Sequence, residues 1–329
     1  MPQTYFHPDS NRTIIGIFRM VLRPIIILSQ TVFPYLAKIR ISENQILFSS
    51  QLTHLHPQRF SSSHIVRAHD LFPLMYPNFY SLKARFLFKI IAKRLNLKAT
   101  YLCNSEYTKF TLEKMTRVPI SQLIVVPCLT PSYAKQILTN SKCGNCICEG
   151  GAANVPERYV ISIGSFLPRK NYKRLFEVWS SIRFLDSSLS LLIIGESLDK
   201  NSLPIFDEEN QNNGIKLLSG YCNYGVYILE TRSLGLISTS HDEGFNIPVH
   251  DALFLNKPVL VSDTRHHREL EANSLVHFLS NEPSQENVAV SEFLNSVNVF
   301  REEISHSSII EQTKIATEEF KRKVFELEI

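Results

Sequence analysis

Two basic residues lie between a predicted strand and a predicted helix in the segment GSFLPRKN, residues 164–171. The strand ends at Gly164, and the helix begins near Asn171, a residue type that often caps helix N-termini. Arg169 and Lys170 stand at the end of the helix that is unfavourable for cations. A bound anion would relieve that repulsion and would accept hydrogen bonds from backbone N–H groups. The segment therefore predicts either a diphosphate site or a solvated basic turn.

A second segment, SHDEGFNIPVHDA at residues 240–252, brings two acids close to a tight turn. The turn EGFN (243–246) ends a predicted strand, and a helix with Pro248 in its first turn follows. Glu243 lies in the turn, whereas Asp251 lies one helical turn beyond the proline. The two acids could hold the two polar ends of one extended ligand. Taken alone, Asp251 is better explained as an acid that stabilises the helix dipole.

The positions of these two segments depend on the strands and helices that flank them. Short apolar runs alternate with helical periodicity in both parts of the chain, which indicates parallel sheets covered by helices on both faces. We therefore predict an α/β protein with two Rossmann-like domains that face a cleft. Ligands of such sheets bind beyond the carboxyl ends of the strands, so we expect chemistry after Ala68, Gly164 and Ser240. The predicted strands are 46–50, 64–68, 99–103, 122–127, 159–164, 189–195, 215–219, 234–239, 258–262 and 275–278, and the predicted helices are 14–38, 81–97, 105–115, 171–184, 223–232, 247–255, 284–303 and 307–327.

A polar stretch that contains glycines separates the two predicted domains. We place an N-terminal domain at 1–140, a linker at 141–157 and a C-terminal domain at 158–329. The linker holds three closely spaced cysteines that could form part of a zinc site, but no second pair of ligands lies nearby. We therefore interpret them as free thiols and predict no metal. These cysteines are Cys143, Cys146 and Cys148.

Charge is distributed unevenly along the chain. Residues 1–155 contain 18 Lys+Arg against 6 Asp+Glu, whereas residues 156–329 contain 17 against 25. The basic part could face a membrane, an anionic acceptor or nucleic acid, but no known nucleic-acid-binding module is present. No segment has the pattern of a secretory signal or of a membrane span. We therefore expect a cytoplasmic protein that can reach the inner face of the membrane.

The segment 81–99 is the most basic helical element of the chain. It contains six cations and no acid, and its apolar residues recur at helical spacing. Such a helix can lie on an anionic membrane, or it can cover a sheet and expose a basic outer face. The six cations are Lys83, Arg85, Lys89, Lys93, Arg94 and Lys98.

Several segments, taken together in this order, resemble glycosyltransferase family 4, the large retaining family with the GT-B fold that includes mannosyl- and rhamnosyltransferases. Those of the C-terminal part are SIGSFLPRKN, LLIIG, LSGY, HDEGFNIPVHDA and PVLVSDTRHHREL. Three others, VRAHDLFPLMYP, YLCNSEYTKFTLEK and ISQLIVVP, are similar to the later part of the family's N-terminal domain. The resemblance covers about residues 65–280, and it implies a nucleotide-sugar-binding domain most clearly at 159–278.

The resemblance implies a role for each candidate residue. Lys170, with Arg169 beside it, would bind the donor diphosphate. Glu243 would contact the transferred sugar, and His69 would lie across the cleft near the anomeric carbon, so these two are the catalytic candidates. Asp251 stands where the family usually has Glu and would bind the nucleotide ribose. The implied donor-binding residues are Gly164, Arg169, Lys170, Gly244, Phe245, Asn246 and Asp251. The histidines that lack such support, and that we interpret as surface or loop residues, are His54, His56, His266 and His267.

The chain departs from the family pattern at several positions. Ser165 stands where the family often has Arg, and Asn246 replaces the second glycine of the family's EGFG. Gly16 is the only glycine before Gly144, so the N-terminal part has no Gly-rich loop. We therefore expect a shortened N-terminal domain.

The resemblance implies a hexosyltransferase that moves a hexose from a nucleotide-diphosphate sugar to a glycan or lipid-linked acceptor in polysaccharide biosynthesis. It implies no cofactor beyond the donor, and the absence of an Asp-x-Asp motif agrees with metal independence. The departures leave open a degenerate, non-catalytic protein that binds ligands or acts as a scaffold. An epimerase or hydrolase with the GT-B fold is disfavoured, because those enzymes lack the EGF-x-x-P-type helix.

Overall fold

A computed structural model describes residues 47–49, 52, 64–127, 131, 133–134, 155–195, 213–280, 282–299 and 306–325. Several predictions concern other residues and lie outside this set. They are the helix at 14–38, the cysteine cluster, His54, His56 and nearly all of the linker 141–157. Among the helices within the set, none is long and apolar enough to cross a membrane.

The N-terminal half contains a parallel sheet with the strand order β1-β2-β3-β4. Serine side chains start its two longer helices: Ser81 accepts a hydrogen bond from the N–H of Ala84, and Ser105 accepts one from Thr108. Both helices pack on the apolar core of this sheet, which includes Ile91 and Leu112. The strands are β1 (Leu47–Ser49), β2 (His64–Ala68), β3 (Thr100–Cys103) and β4 (Leu123–Val125), and the helices are α1 (Phe72–Met75), α2 (Leu82–Arg94) and α3 (Glu106–Met115).

The C-terminal half contains six parallel strands in the spatial order β7-β6-β5-β8-β9-β10, the order of a Rossmann sheet. The strands are β5 (Tyr159–Ile163), β6 (Ser190–Ile194), β7 (Ile215–Leu218), β8 (Leu236–Ser238), β9 (Val259–Ser262) and β10 (Val276–Leu279). The helices are α4 (Tyr172–Leu185), α5 (Asn223–Arg232), α6 (Ile247–Phe254), α7 (Pro283–Val299) and α8 (His306–Phe325).

Apolar side chains cover both faces of the C-terminal sheet. On one face, Trp179 of α4 and Phe293 of α7 pack against Val160 and Leu191. On the other face, α5 and α6 pack against strand residues that include Ile161. The inner strands β5, β6, β8 and β9 are buried on both faces, so their sequences are largely continuous apolar runs rather than alternations, which made these strands easy to predict.

The predicted elements agree closely with the structure. Each of the ten predicted strands has a counterpart among the described residues, and its ends differ by no more than two residues. Helix α1 was not predicted, because a single turn of four residues that includes Pro73 is too short to show helical periodicity. The α/β class and the two parallel sheets are confirmed, whereas the domain boundaries remain predictions.

Candidate functional site

The basic segment 164–171 and the acidic segment 240–252 meet at the point where the strand order of the C-terminal sheet reverses. Strands β5 and β8 are neighbours there, with Ile161 paired to Leu236. The helix that follows β5 covers one face of the sheet, and the helix that follows β8 covers the other. Such a switch point opens a crevice at the carboxyl ends of the strands. The segments 164–171 and 240–246 line this crevice.

Arg169, Lys170 and Glu243 form a buried charged group at the switch point, which we call the donor cluster. Lys170 Nζ lies 2.7 Å from Glu243 Oε1, and Arg169 Nη1 lies 2.5 Å from Oε2. Ser240 Oγ also donates to Oε1, at 2.7 Å. Glu243 is only 5% exposed. Burial alone would raise its pKa, but the charges of Lys170 and Arg169 outweigh that effect and lower it to about 2. Glu243 is therefore ionised at neutral pH.

Arg169 has further contacts that fix its guanidinium group. Its Nη1 donates to the backbone carbonyl of Asp242 at 2.8 Å, and the group lies 4.5 Å from the centre of the Phe72 ring. Burial lowers the pKa of Arg169, but the charge and hydrogen bond of Glu243, together with Tyr80 and Asp70, raise it, so the net shift is upward. One donor of the guanidinium group, Nε, is buried without an acceptor among the described residues.

Gly164 allows the side chain of Lys170 to approach the end of β5. A Cβ atom at this position would lie 2.9 Å from Lys170 Cε and 3.3 Å from Nζ, so a larger residue would displace the ammonium group. Asn171 occupies the cap position of α4 but has φ 53° and makes no side-chain capping bond. The predicted N-cap position of Asn171 is therefore confirmed, although its side chain makes no capping bond. An asparagine fits here because it tolerates the left-handed region.

Asn246 stands where the EGFG pattern has its second glycine, and its backbone conformation accounts for the replacement. Its backbone has φ 57°, in the left-handed region that glycine or asparagine adopts most readily. Its Nδ2 donates to Ser238 Oγ and to His267 Nε2, both at 2.9 Å. The neighbouring Phe245 is buried and its ring stacks on His250 at 3.7 Å. The asparagine therefore preserves the turn and adds contacts that glycine would lack.

Asp251 is buried in the second turn of α6, on the opposite face of the sheet from α4. The hydroxyl of Tyr133 lies 3.4 Å from its backbone carbonyl. Glu230 and Lys257 are buried nearby. Burial raises the pKa of Glu230 well above its ordinary value, the charge of Asp251 adds to this, and Lys257 opposes it. Glu230 could not be identified from the sequence, because it lies in helix α5, which contains no recognisable motif.

His69 and Asp70 follow β2 and face the donor cluster from the N-terminal half. The carbonyl of His69 lies against Gly244, where a Cβ atom would be only 2.2 Å from it. The His69 ring is exposed. Burial raises the pKa of Asp70, whereas its bond to the N–H of Phe72 and the charge of Arg169 lower it. A cavity between the two halves here measures about 10 Å³, roughly the space that one water molecule needs. The halves are therefore in direct contact at this point.

Two histidines had been interpreted as surface or loop residues. His266 and His267 do lie in the region after β9, but both are almost completely buried. His267 Nδ1 donates to the carbonyl of Ser262 at 2.8 Å, which leaves Nε2 to accept from Asn246. Burial and the neighbouring His267 lower the pKa of His266 to about 3. The loop part of that interpretation is confirmed and the surface part is wrong, because residues of the segment 245–250 pack against both rings.

The structure also brings together residues that the sequence did not single out. Tyr76 and Tyr107 of the N-terminal half both contact Asp242. Tyrosine in an apolar segment resembles an ordinary core residue, so no local pattern distinguished these two. Among the described residues, no three His, Cys, Asp or Glu side chains are grouped so that they could hold a metal ion.

Comparisons with known proteins agree with this architecture. Residues 149–297 match the family model described as glycosyl transferases group 1. The O-antigen chain mannosyltransferase RfbU of Salmonella typhimurium (strain LT2) is 26% identical over 220 residues, which are 64% of this chain and 55% of the relative. The chain thus spans about half the length of this curated relative.

Solved structures with low sequence identity share the fold. WaaG, a glycosyltransferase involved in lipopolysaccharide biosynthesis, has a TM-score of 0.54 at 12% identity, over 97% of this chain and 82% of WaaG. HepE of Anabaena, solved with UDP and glucose, has a TM-score of 0.59 at 13% identity, over 94% of this chain and 88% of HepE. The chain therefore has the GT-B fold, and its residues 149–297 are similar to the group 1 glycosyl transferases.

Proposed function

We propose that this protein is a retaining glycosyltransferase of family 4 that transfers a hexose from a nucleotide-diphosphate sugar to a glycan or lipid-linked acceptor. The observation that carries the proposal is the donor cluster at the switch point of the C-terminal sheet. Two cations there share one acid, so the cluster has an excess of positive charge in a buried crevice. Buried cations at the carboxyl ends of parallel strands suit a diphosphate.

The diphosphate would compete with Glu243 for the two cations. It carries more negative charge than a single carboxylate, and it offers oxygens to both Lys170 and the unoccupied Nε of Arg169. Once displaced, Glu243 would accept hydrogen bonds from hydroxyl groups of the hexose. Backbone N–H groups of 244–246 would complete the donor site, and Asp251 would bind the ribose. The donor would enter while the two halves are apart, because Gly244 touches His69 when they are closed, and the halves would close again over the bound donor.

The transfer step needs positioning and charge stabilisation rather than a protein nucleophile. The bond between the anomeric carbon and the diphosphate oxygen breaks, and a bond from the acceptor oxygen to the same face of that carbon forms. The acceptor proton passes to the departing diphosphate, whose charge Arg169 and Lys170 stabilise. His69, at the edge of the N-terminal half, would lie near the anomeric carbon. No metal or other cofactor is required by this scheme.

Relatives support a role in polysaccharide biosynthesis. RfbU is an O-antigen chain mannosyltransferase, and WaaG takes part in lipopolysaccharide biosynthesis. Since HepE was solved with UDP and glucose, its fold accommodates a nucleotide and a sugar. We therefore propose a hexose donor and a glycan or lipid-linked acceptor for this chain as well.

Helix α2 would bring the protein to an anionic membrane from the cytoplasmic side. Leu82 and Phe86, one helical turn apart, are 76% and 67% exposed. Lys83, Lys89 and Lys93 are exposed on the same helix. Exposed apolar side chains among cations are the pattern of a helix that binds an anionic lipid surface. Such a contact would be peripheral.

Calorimetric titration of the full chain with nucleotide sugars tests the donor site. We expect binding in the micromolar range for one nucleotide and a loss of about tenfold or more in Lys170→Ala, because a charged hydrogen bond is removed. Lys173→Ala is the matched control, since it removes the same charge from an exposed position in the first turn of α4. If the wild-type chain binds no nucleotide sugar, or if both variants bind equally, the donor site is wrong.

Turnover separates the enzyme from the non-catalytic alternative. The chain is incubated with the nucleotide sugar that binds and with a range of glycan and lipid-linked acceptors, and release of the nucleoside diphosphate is followed. Release that depends on the acceptor and is lost in Glu243→Gln supports a transferase. Binding without release on any acceptor assigns the protein to the binding or scaffold class.

A further inference from the structure

Asp242, in the loop after β8, connects the two halves of the protein. It is only 2% exposed. Its Oδ2 accepts a hydrogen bond of 2.6 Å from the hydroxyl of Tyr76 and another from the hydroxyl of Tyr107. Tyr76 ends α1, and Tyr107 lies in the first turn of α3, so both donors come from the N-terminal half. One carboxylate of the C-terminal half thus receives two hydroxyl groups from the opposite side.

The same residue contacts two members of the donor cluster. The backbone carbonyl of Asp242 accepts the 2.8 Å hydrogen bond from Arg169 Nη1. Its Oδ1 accepts the N–H of Glu243 at 2.8 Å. The side chain of Asp242 thus holds the backbone of Glu243, and its backbone carbonyl holds Arg169, so this one residue contacts both a cation of the donor cluster and the acid that neutralises it.

Because the carboxylate of Asp242 is buried, its stability depends on the hydrogen bonds from Tyr76 and Tyr107. A buried carboxylate is costly unless hydrogen bonds satisfy it. Burial raises the pKa of Asp242, whereas the hydrogen bonds from Tyr107 and Tyr76 lower it. Since two donors belong to the N-terminal half, the buried and bonded state of Asp242 exists only when the halves are closed. Separation of the halves would hydrate the carboxylate and free it to rotate.

Other hydrogen bonds also join the two halves near Asp242, but they involve no side chain of the donor cluster. Ser105 Oγ and Thr108 Oγ1 donate to the carbonyl of Gly244 at 2.6 and 3.2 Å. Glu269 accepts the first two N–H groups of α3, where a negative charge is favourable for the helix dipole. These bonds fasten the interface. Asp242 differs from them because it bonds to the N-terminal half and to Arg169 and Glu243 at once.

We propose that Asp242 is a positioning residue that couples closure of the N-terminal half to the geometry of the donor cluster. Its hydrogen bonds to Tyr76 and Tyr107 report whether the halves are closed, and its bonds to Arg169 and Glu243 transmit that state to the donor site. The inference rests on the proposed function for the ligand of that site. The coupling itself is a property of the chain without ligand.

The double variant Tyr76→Phe/Tyr107→Phe tests the coupling in the full chain, because it removes both hydroxyls and leaves Asp242 in place. Hydrogen exchange of the ligand-free protein is followed in peptides covering 239–246, and the affinity for the nucleotide sugar is measured by calorimetry. We expect faster exchange in the loop and an affinity about tenfold lower, although neither tyrosine belongs to the donor cluster. If the double variant does not fold, Tyr76→Phe alone serves for the same comparison.

Tyr101→Phe provides the matched control. It removes a buried tyrosine hydroxyl that donates to the carbonyl of Asn96 within the N-terminal half. We expect this variant to leave both the exchange of 239–246 and the affinity unchanged. Asp242→Asn retains the size of the side chain and one acceptor oxygen, so its effects should lie between the control and the double variant.

Two results would overturn the positioning role. One is unchanged exchange at 239–246 in the double variant, and the other is faster exchange without any loss of affinity. If the wild-type chain binds no nucleotide sugar, the proposed function fails. The exchange of 239–246 then decides by itself whether Asp242 couples the two halves.

Discussion

Basic side chains occupy two contrasting regions of this protein. In the C-terminal half, Arg169 and Lys170 are nearly buried and share the carboxylate of Glu243. In the N-terminal half, helix α2 exposes its lysines to solvent, and the segment 81–99 contains no acid. The first region is compensated internally at distances below 3 Å. The second is not compensated within its own segment and is exposed to solvent and salt.

The difference shows how burial changes the use of a positive charge. An exposed lysine interacts weakly with any one partner and is screened by salt, so it suits a broad anionic surface. A buried cation that already has a partner can bind only a ligand that replaces that partner with better geometry or more charge. Under the proposed function, the same residue types would serve non-specific adhesion in α2 and selective recognition at the switch point.

The largest expected effect comes from Glu243→Gln, which removes the negative charge that the two buried cations share. Its pKa of about 2, against an ordinary value of 4.5, corresponds to about 3 kcal/mol of stability at neutral pH. Because the folded-state pKa is the lower one, this contribution is complete above pH 4.5 and disappears as the pH falls toward 2. Urea unfolding followed by the fluorescence of Trp179, the only tryptophan, should show the variant destabilised at pH 7 and the gap narrowing at pH 3.

Glu271→Gln is the control for that measurement. It makes the same change in an exposed ion pair with Arg268. Surface pairs contribute about 0–1 kcal/mol, so the control should unfold close to the wild type at both pH values. Equal unfolding of Glu243→Gln and the control at pH 7 would contradict the electrostatic role of the donor cluster.

A smaller effect is expected from Gly244→Ala, which would separate the halves at their closest point. The added methyl group would meet the carbonyl of His69 at 2.2 Å, and backbone cannot move away as a side chain can. Overpacking of this kind costs about 1–3 kcal/mol. We expect a lower unfolding midpoint and faster hydrogen exchange in the first turn of α3. Gly164→Ala should cost less, because its methyl group meets only the flexible end of Lys170; equal costs would contradict this picture of the interface.

The smallest effect is expected from the exposed lysines of helix α2. Lys89→Ala should weaken sedimentation with vesicles of anionic lipid by about 1 kcal/mol, roughly fivefold, because one cation near the surface is lost. Lys314→Ala, which removes an exposed lysine from α8, is the matched control. Both variants should keep the stability of the wild type. If they bind vesicles equally, or if high salt does not weaken binding of the wild type, α2 is not the membrane-binding element.

Much of the candidate site could be placed from the sequence. The segments around Lys170 and Glu243 were located at the carboxyl ends of two strands, and the structure brings them to adjacent strands. Asp242 was not identified, although it stands beside Glu243, because its partners Tyr76 and Tyr107 lie 166 and 135 residues away. The burial of His266 was missed for the same reason: the residues that cover it come from other elements.

The sequence by itself determined the strands, the longer described helices and the residue types at each strand end, because apolar periodicity and turn chemistry are local properties. Only the tertiary structure decided that Lys170 and Arg169 share Glu243, that Asn246 adopts a left-handed turn with two side-chain bonds, and that Asp242 faces the opposite half. Those contacts join residues far apart in the chain. Their geometry depends on how sheets and helices pack, and no local pattern encodes that packing.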